Sequence, residues 1–256
     1  MNRLGLTVVG VSLLVIALIG GLWYYLAHIQ PPAPAPRDET QEPRETTLKD
    51  TGDYYEISAL YPKIVMEGNP EVNAKAEKTV EEFISREIAR FKKDYNLLEL
   101  TPEDVEVQRL NERKYTLDIS YTHHESEKTV SLVFTLFADT LGAHPNTYYQ
   151  TFTFSKETGE TLALKDLFTD KDTYLETLSG VARKQLTTHI AEVLEMPEDE
   201  LDTSDIEAGT KPVADNFSWF YLTNDELGLI FPPYQVGPGV LGTQYAHVPI
   251  HETNLQ

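Results

Sequence analysis

Apolar residues in this chain follow three rhythms, and each predicts a different kind of element. From Leu4 to Ala27 there are 24 residues without a charged side chain. At about 1.5 Å per residue, a helix of that length spans a ~30 Å hydrocarbon core. Two later stretches repeat every three to four residues. Asn69-Pro70 caps and starts the first, whose stripe is Val72, Ala76, Val80, Phe83, Ile84, Ile88, Phe91 and Tyr95. The second covers residues 172–194, with Tyr174, Leu178, Val181, Ala182, Leu186, Ile190 and Val193 on one side.

The third rhythm is alternation. Tyr148, Gln150, Phe152 and Phe154 share one face, and Tyr149, Thr151 and Thr153 the other. Period two with aromatic and β-branched residues predicts a strand. The turn 156–159, closed by Gly159, leads to a predicted partner strand at 161–164. Strands are also expected at 54–61 (stopped by Pro62), 105–110, 115–123, 129–138, 217–223, 227–231 and 245–250. Leu117, Ile119 and Tyr121 share one face, opposite Asp118, Ser120 and Thr122. The acidic run 195–207 reads as a short helix and loop. The fold class expected is α+β: antiparallel sheets with one long helix packed in each half, after an N-terminal transmembrane helix.

Composition sharpens the ends. Trp23, Tyr24 and Tyr25 sit at the far end of the apolar run, where an aromatic belt belongs, and Arg3 precedes it. This predicts an uncleaved single-pass anchor, with the N-terminus cytoplasmic and the rest extracytoplasmic in the cell membrane. Residues 30–52 hold Pro31, Pro32, Pro34, Pro36 and Pro43 among polar residues and read as an extended linker. The expected organisation is a stub and anchor at 1–28, a linker at 29–52, and two halves of one module at 53–141 and 142–256. Two of the 21 basic residues, and no acid, lie before position 38, leaving 19 against 41 acids and a formal charge of −22 beyond it. A field of that sign repels nucleic acid and attracts cationic partners. The chain has no cysteine, which excludes disulfides, thiolate metal sites and a cysteine nucleophile.

Two stretches carry a family resemblance. Residues 142–168 read G-A-H-P-N, an aromatic strand, then K-E-T-G-E-T-L-A-L-K-D-L-F; residues 217–242 contain P-P-Y-Q-V-G-P-G-V-L-G. Together they resemble the extracytoplasmic module of RsiV-type lysozyme-receptor anti-sigma factors, which also lies beside the catalytic domain of PdaC-type polysaccharide deacetylases. The resemblance spans residues 54–250. It implies a non-catalytic binding module for a cell-envelope ligand, either a cell-wall glycan or a lysozyme-like cationic protein. Many relatives of this module carry an aromatic residue after the Gly-Pro pair, where this chain has Gly239. Only Met1-Asn2-Arg3 precede the apolar run and the chain stops at Gln256, so neither a sigma-factor-binding segment nor a deacetylase domain is expected.

Candidate chemistry is sparse. His247 and His251 flank Pro249 and cannot share a helix face; His123 and His124 end a strand, pointing to opposite sides, so no metal is expected. No cofactor is expected either: there is no G-x-S-x-G nucleophile turn, and Gly237-Pro238-Gly239 lacks the helix and lysine of a phosphate loop. The acidic run 198–207 lacks the spacing of a calcium loop. The binding residues expected are Tyr234, Gln235, Pro238 and Gly242 in the stiff loop 232–242, helped by His144 and Asn146 in the Gly-Pro turn before the aromatic strand. A structural role is open for both rings: Tyr234 packing over the last strand, His144 bonding backbone. The alternative function is a glycan-modifying enzyme of the cell envelope that uses carboxylates and His144.

Overall fold

The computed structural model of the protein describes residues 45–66 and 69–250. The apolar run at 4–27, most of the proline-rich stretch and His251 lie outside them. Among the described residues no helix is long and apolar enough to cross a membrane. These residues are α+β and carry two sheets.

The first sheet has five strands in the order of the chain: β1 (Glu45–Thr51), β2 (Tyr55–Pro62), β3 (Tyr115–Glu125), β4 (Thr129–Asp139) and β5 (Asn146–Ser155). It is mixed rather than purely antiparallel, because β2 and β3 run parallel while the other pairs are antiparallel. Parallel neighbours need a crossover, and α1 (Pro70–Asp94) supplies it. Asn69 Oδ1 accepts the Glu71 N–H and Pro70 fits the first turn, as the sequence predicts. The stripe of α1 then lies on the sheet: Phe83 sits 5.2 Å from Phe134 and 5.4 Å from Phe152, over Ile57, Leu117, Ile119 and Leu132.

The second sheet is β6 (Phe220–Leu222), β7 (Glu226–Phe231) and β8 (Gln244–Pro249), all antiparallel. Its inner face packs on α3 (Tyr174–Val193), where Leu178, Ala182, Leu186 and Ile190 meet Leu227, Leu229, Phe231, Ala246 and Val248. Val193, expected on that stripe, is exposed. The helical stripe ends one turn earlier, at Ile190.

The two sheets join at a seam on the other face of β4 and β5. Val133, Tyr221 and Ile230 are buried together, with Tyr149 and Trp219 packed on them. A side chain and a backbone amide from the second half both donate to the first sheet here. Trp219 Nε1 donates to the Tyr149 carbonyl (2.8 Å), and the Leu222 N–H donates to Ser131 Oγ (3.0 Å). The ring of Tyr221 rests on the backbone of Gly228, where a Cβ would come within 2.1 Å of Cζ.

Four local expectations are corrected. Residues 45–51 are an edge strand, not linker: Leu48 packs on the first core and Asp50 Oδ2 pairs with Lys92 Nζ at 2.5 Å. Residues 105–110 are not a strand. They are the end of a short helix, α2 (Pro102–Val107), and the turn after it; a capping box between Thr101 and Asp104 starts the helix. Only Thr161 of the expected strand 161–164 pairs, as a single bridge to Phe154, before the chain turns through Leu164–Leu167. The strand expected at 115–123 runs on to Glu125, so His123 and His124 both lie within β3.

Candidate functional site

The loop between β7 and β8 is built as a clamped protrusion. The Gln235 amide donates to the carbonyls of Gly209 (3.1 Å) and Asn216 (2.9 Å), and Val236 is buried beneath it. Pro238 opens a single 3-10 turn, Gly239–Leu241, and Gly242 closes it at φ +68°. Gln244 Nε2 bonds the Leu241 carbonyl at 2.7 Å. What the clamp holds out is apolar: Tyr234 is 71% exposed and Val240 92%.

Tyr234 takes φ +73°. For a bulky side chain, the left-handed region costs roughly 1–2 kcal/mol and persists only where the surroundings enforce it. Its ring lies over Gly239, where any Cβ would sit 2.2 Å from Cζ. The ring thus fills the space a side chain at 239 would need. Tyr234 does not pack over β8; it packs on its own loop, which fixes one face and leaves the rest to solvent.

The β4–β5 turn presents His144 and Asn146. Leu141 there also has positive φ, +64°, and its N–H is held by Asp139 Oδ1 at 2.9 Å. Among the described residues three other non-glycine residues have positive φ, Asn96, Arg109 and Glu195, and each follows the end of a helix. Of the five, only Leu141 and Tyr234 therefore lie in strand-to-strand loops. His144 is exposed and its Nδ1 lies 3.2 Å from the Pro145 carbonyl oxygen. Asn146, also exposed, begins β5 opposite Ala138. The loop is tied to this hairpin through Tyr149, three residues past Asn146, whose hydroxyl lies 2.7 Å from Thr243 Oγ1.

Sequence reasoning missed a second group, spread over the seam. The ring of His124 stacks on Tyr221 at 3.8 Å and 17°. His247 Nδ1 lies 2.9 Å from Glu226 Oε1, and Gln185 grips the His247 backbone from α3. Burial, and next the neighbouring His123, push the His124 imidazole below the ordinary histidine range, with Glu226 opposing. Burial beside Tyr149 pushes Tyr245 up to about 12. Alternation in β8 puts Tyr245 and His247 on one face, and that much was readable; their partners come from strands more than fifteen residues away. Among the described residues no group of three or more His, Asp or Glu is placed to hold a metal ion. A groove of about 470 Å³ lined by Tyr54, Leu110, Arg113 and Lys114 contains none of the residues singled out above.

Comparison with known proteins places the clamped loop. Residues 165–251 match a family described as a protein of unknown function, DUF3298. The match covers this stretch alone, about a third of the chain. It contains α3, the whole second sheet and the 232–242 loop, while the turn at His144 precedes it. The chain is 27% identical over 199 residues to the peptidoglycan-N-acetylmuramic acid deacetylase PdaC of Bacillus subtilis, covering 77% of this chain but 38% of that protein. It is 26% identical over 147 residues to the esterase Rv3036c of Mycobacterium tuberculosis, covering 55% of this chain and 59% of the other. The similarity thus reaches past residues 165–251 into the first sheet, and spans less than two thirds of either relative. The fold is shared with a DUF3298 protein of Bacteroides fragilis (TM-score 0.57, 17% identity, 84% of this chain and 93% of that one). It is also shared with one of Pseudomonas aeruginosa (TM-score 0.50, 12% identity, 83% and 93%).

Proposed function

We propose that this protein is a membrane-anchored, extracytoplasmic binding module that docks a cationic protein of the cell envelope through the loop 232–242. Kinship to PdaC supports a place in the cell envelope. One observation carries the choice of surface. Tyr234 is 71% exposed, yet sits on a strained backbone that Gln235, Val236 and Gly239 hold in place. A rigid, solvent-facing aromatic ring loses little freedom on binding, which suits an anchor that enters a groove on a partner. The chain's net charge of −20 favours a basic partner by steering it, whereas the ring and Val240 hold it once docked.

Titration of the protein with a lysozyme, as a basic envelope hydrolase, tests this. Tyr234→Ala removes a central aromatic anchor, typically about 2 kcal/mol, and should weaken binding roughly thirtyfold with the fold intact by circular dichroism. Equal affinity of the folded variant would move the site elsewhere. Binding of insoluble cell wall instead of lysozyme, lost in the same variant, would keep the loop and replace the partner by a glycan.

A hydrolytic reading has one feature in its favour, the carboxylate-paired imidazole of His247. His144, the residue expected to act there, contacts backbone instead. Turnover of a chromogenic acetyl ester by the wild-type protein would put this reading first.

A further inference from the structure

The seam covers only part of the outer face of the first sheet. Beyond it, five side chains stand directly opposite one another across all five strands: Lys49, Ser58, Asp118, Phe137 and Thr147. All lie on the side away from α1, because their neighbours Leu48, Ile57, Leu117, Leu136 and Tyr148 face the first core. Phe137 is 44% exposed near the end of a strand whose other members are mostly buried. The next row, Ser120, Thr135 and Tyr149, adds hydroxyls and a second ring, and Tyr245 of β8, 46% exposed, stands beside Tyr149 at the rim.

We infer that this open face is a saccharide-binding surface, selective for amine-bearing (de-N-acetylated) hexosamine chains. It is a different surface from the loop 232–242 and binds independently of that loop. A pyranose ring offers a flat apolar C–H face and a rim of hydroxyls. Phe137 offers a matching exposed plane, and Ser120, Thr135 and Thr147 offer both donors and acceptors around it. Charge decides which sugar. Asp118 is exposed, accepts from Ser58 Oγ, and stands opposite Phe137 on the adjacent strand, within side-chain reach of the same ligand. The other carboxylates in this part of the face are engaged: Glu56 pairs with Lys114 at 3.0 Å, and Asp139 holds the Leu141 N–H. An ammonium group on the sugar would meet the Asp118 carboxylate beside an aromatic face, where a cation is attracted by the ring as well. The net charge of −20 opposes an anionic chain.

Isothermal titration of the full-length protein in detergent micelles with a glucosamine hexamer tests the inference. An N-acetylglucosamine hexamer and hexalysine are the comparison ligands. The glucosamine hexamer should bind, and Phe137→Ala should weaken it roughly tenfold. Asp118→Asn should abolish the preference for the amine over the N-acetyl form, and Tyr234→Ala should change neither. Both substituted residues are solvent-exposed, and circular dichroism checks each variant. No binding of the glucosamine hexamer would overturn the inference. So would displacement by hexalysine, equal or tighter binding of the N-acetyl form, or full affinity in both folded variants.

Discussion

Gly228→Ala should be felt at the seam more than any other one-methyl change. The added Cβ would lie 2.1, 2.3 and 2.6 Å from Cζ, Cε1 and Cε2 of Tyr221. An ordinary contact begins near 3.4 Å, so the ring must withdraw by about 1 Å or more. It has little room to do so, being buried, with His124 stacked at 3.8 Å on it. Overpacking of this kind costs about 1–3 kcal/mol, and exchanging a strand glycine for alanine returns roughly 0.5–1 kcal/mol of backbone entropy. With the ring held by His124 on its other side, the upper part of that cost applies, roughly 2–3 kcal/mol, and the net expectation is a loss of about 1–2 kcal/mol. With a urea m-value near ~2 kcal/mol/M, the midpoint should fall by roughly 0.5–1 M. The described residues fall in one compact unit and contain a single tryptophan, Trp219, which lies at the seam itself. Its fluorescence therefore reports the contact under test. An unchanged or raised midpoint would refute the packing argument. Placing the same alanine in a Tyr221→Leu background should cost much less, with a coupling of about 1 kcal/mol between the two sites.

Two further outcomes are expected. Protease added to spheroplasts should cut within residues 30–44 and release the folded part, as a single-pass anchor with its C-terminus outside requires; protection, or a mature chain starting after Ala27, would defeat that topology. The second concerns pH. Burial holds both His123 and His124 below the ordinary value, near 6.5, that they regain on unfolding. The unfolded chain therefore takes up protons first, so this contribution is complete above about pH 6.5 and is lost as pH falls through the folded values. His124→Phe keeps a ring on Tyr221 and should lose less stability between pH 7.5 and 5 than the wild type; identical slopes would show that His124 does not titrate at the seam.

Local signals served the long elements well. The stripe of α1 and the faces of β3 and β5 were legible because each depends on one period over many residues. Thr151 and Thr153, read as the face opposite Phe152 and Phe154, do lie there and are buried under β6 rather than solvated. Short elements were harder. Thr101-Pro102-Glu103-Asp104 carries the same cap-and-proline signal as Asn69-Pro70, but Val105 and Val107 invited a strand reading, and a six-residue helix has too few turns to show its period. Residues 45–51 look like linker because an edge strand with one solvated face needs little apolar content; Leu48 alone marks its inner side. The parallel pairing of β2 and β3 is a property of the crossover, not of either strand's pattern. For the candidate site, proline and glycine marked both loops. No local pattern could announce that Tyr234 takes a left-handed backbone, or that Gly239 makes room for its ring.

The outer face of β4 and β5 explains how one sheet serves two purposes. Its Ser131–Val133 end is closed by β6 and β7, with Thr151 and Thr153 as partners, while its Thr135–Phe137 end stays open. Tyr149 stands at the boundary. Its carbonyl accepts from Trp219, which belongs to the closed half. Its hydroxyl bonds Thr243, which follows the clamped loop, and its ring lies in register with Thr135 of the open half. A strand residue whose carbonyl, hydroxyl and ring answer to three different surroundings is hard to move without moving all three. The protruding loop is thereby referenced to the first sheet as well as to α4 (Ser204–Gly209), whose last carbonyl holds Gln235. The two proposed surfaces keep a fixed relation because both are measured from Tyr149, and a ligand on either finds its contacts already in place.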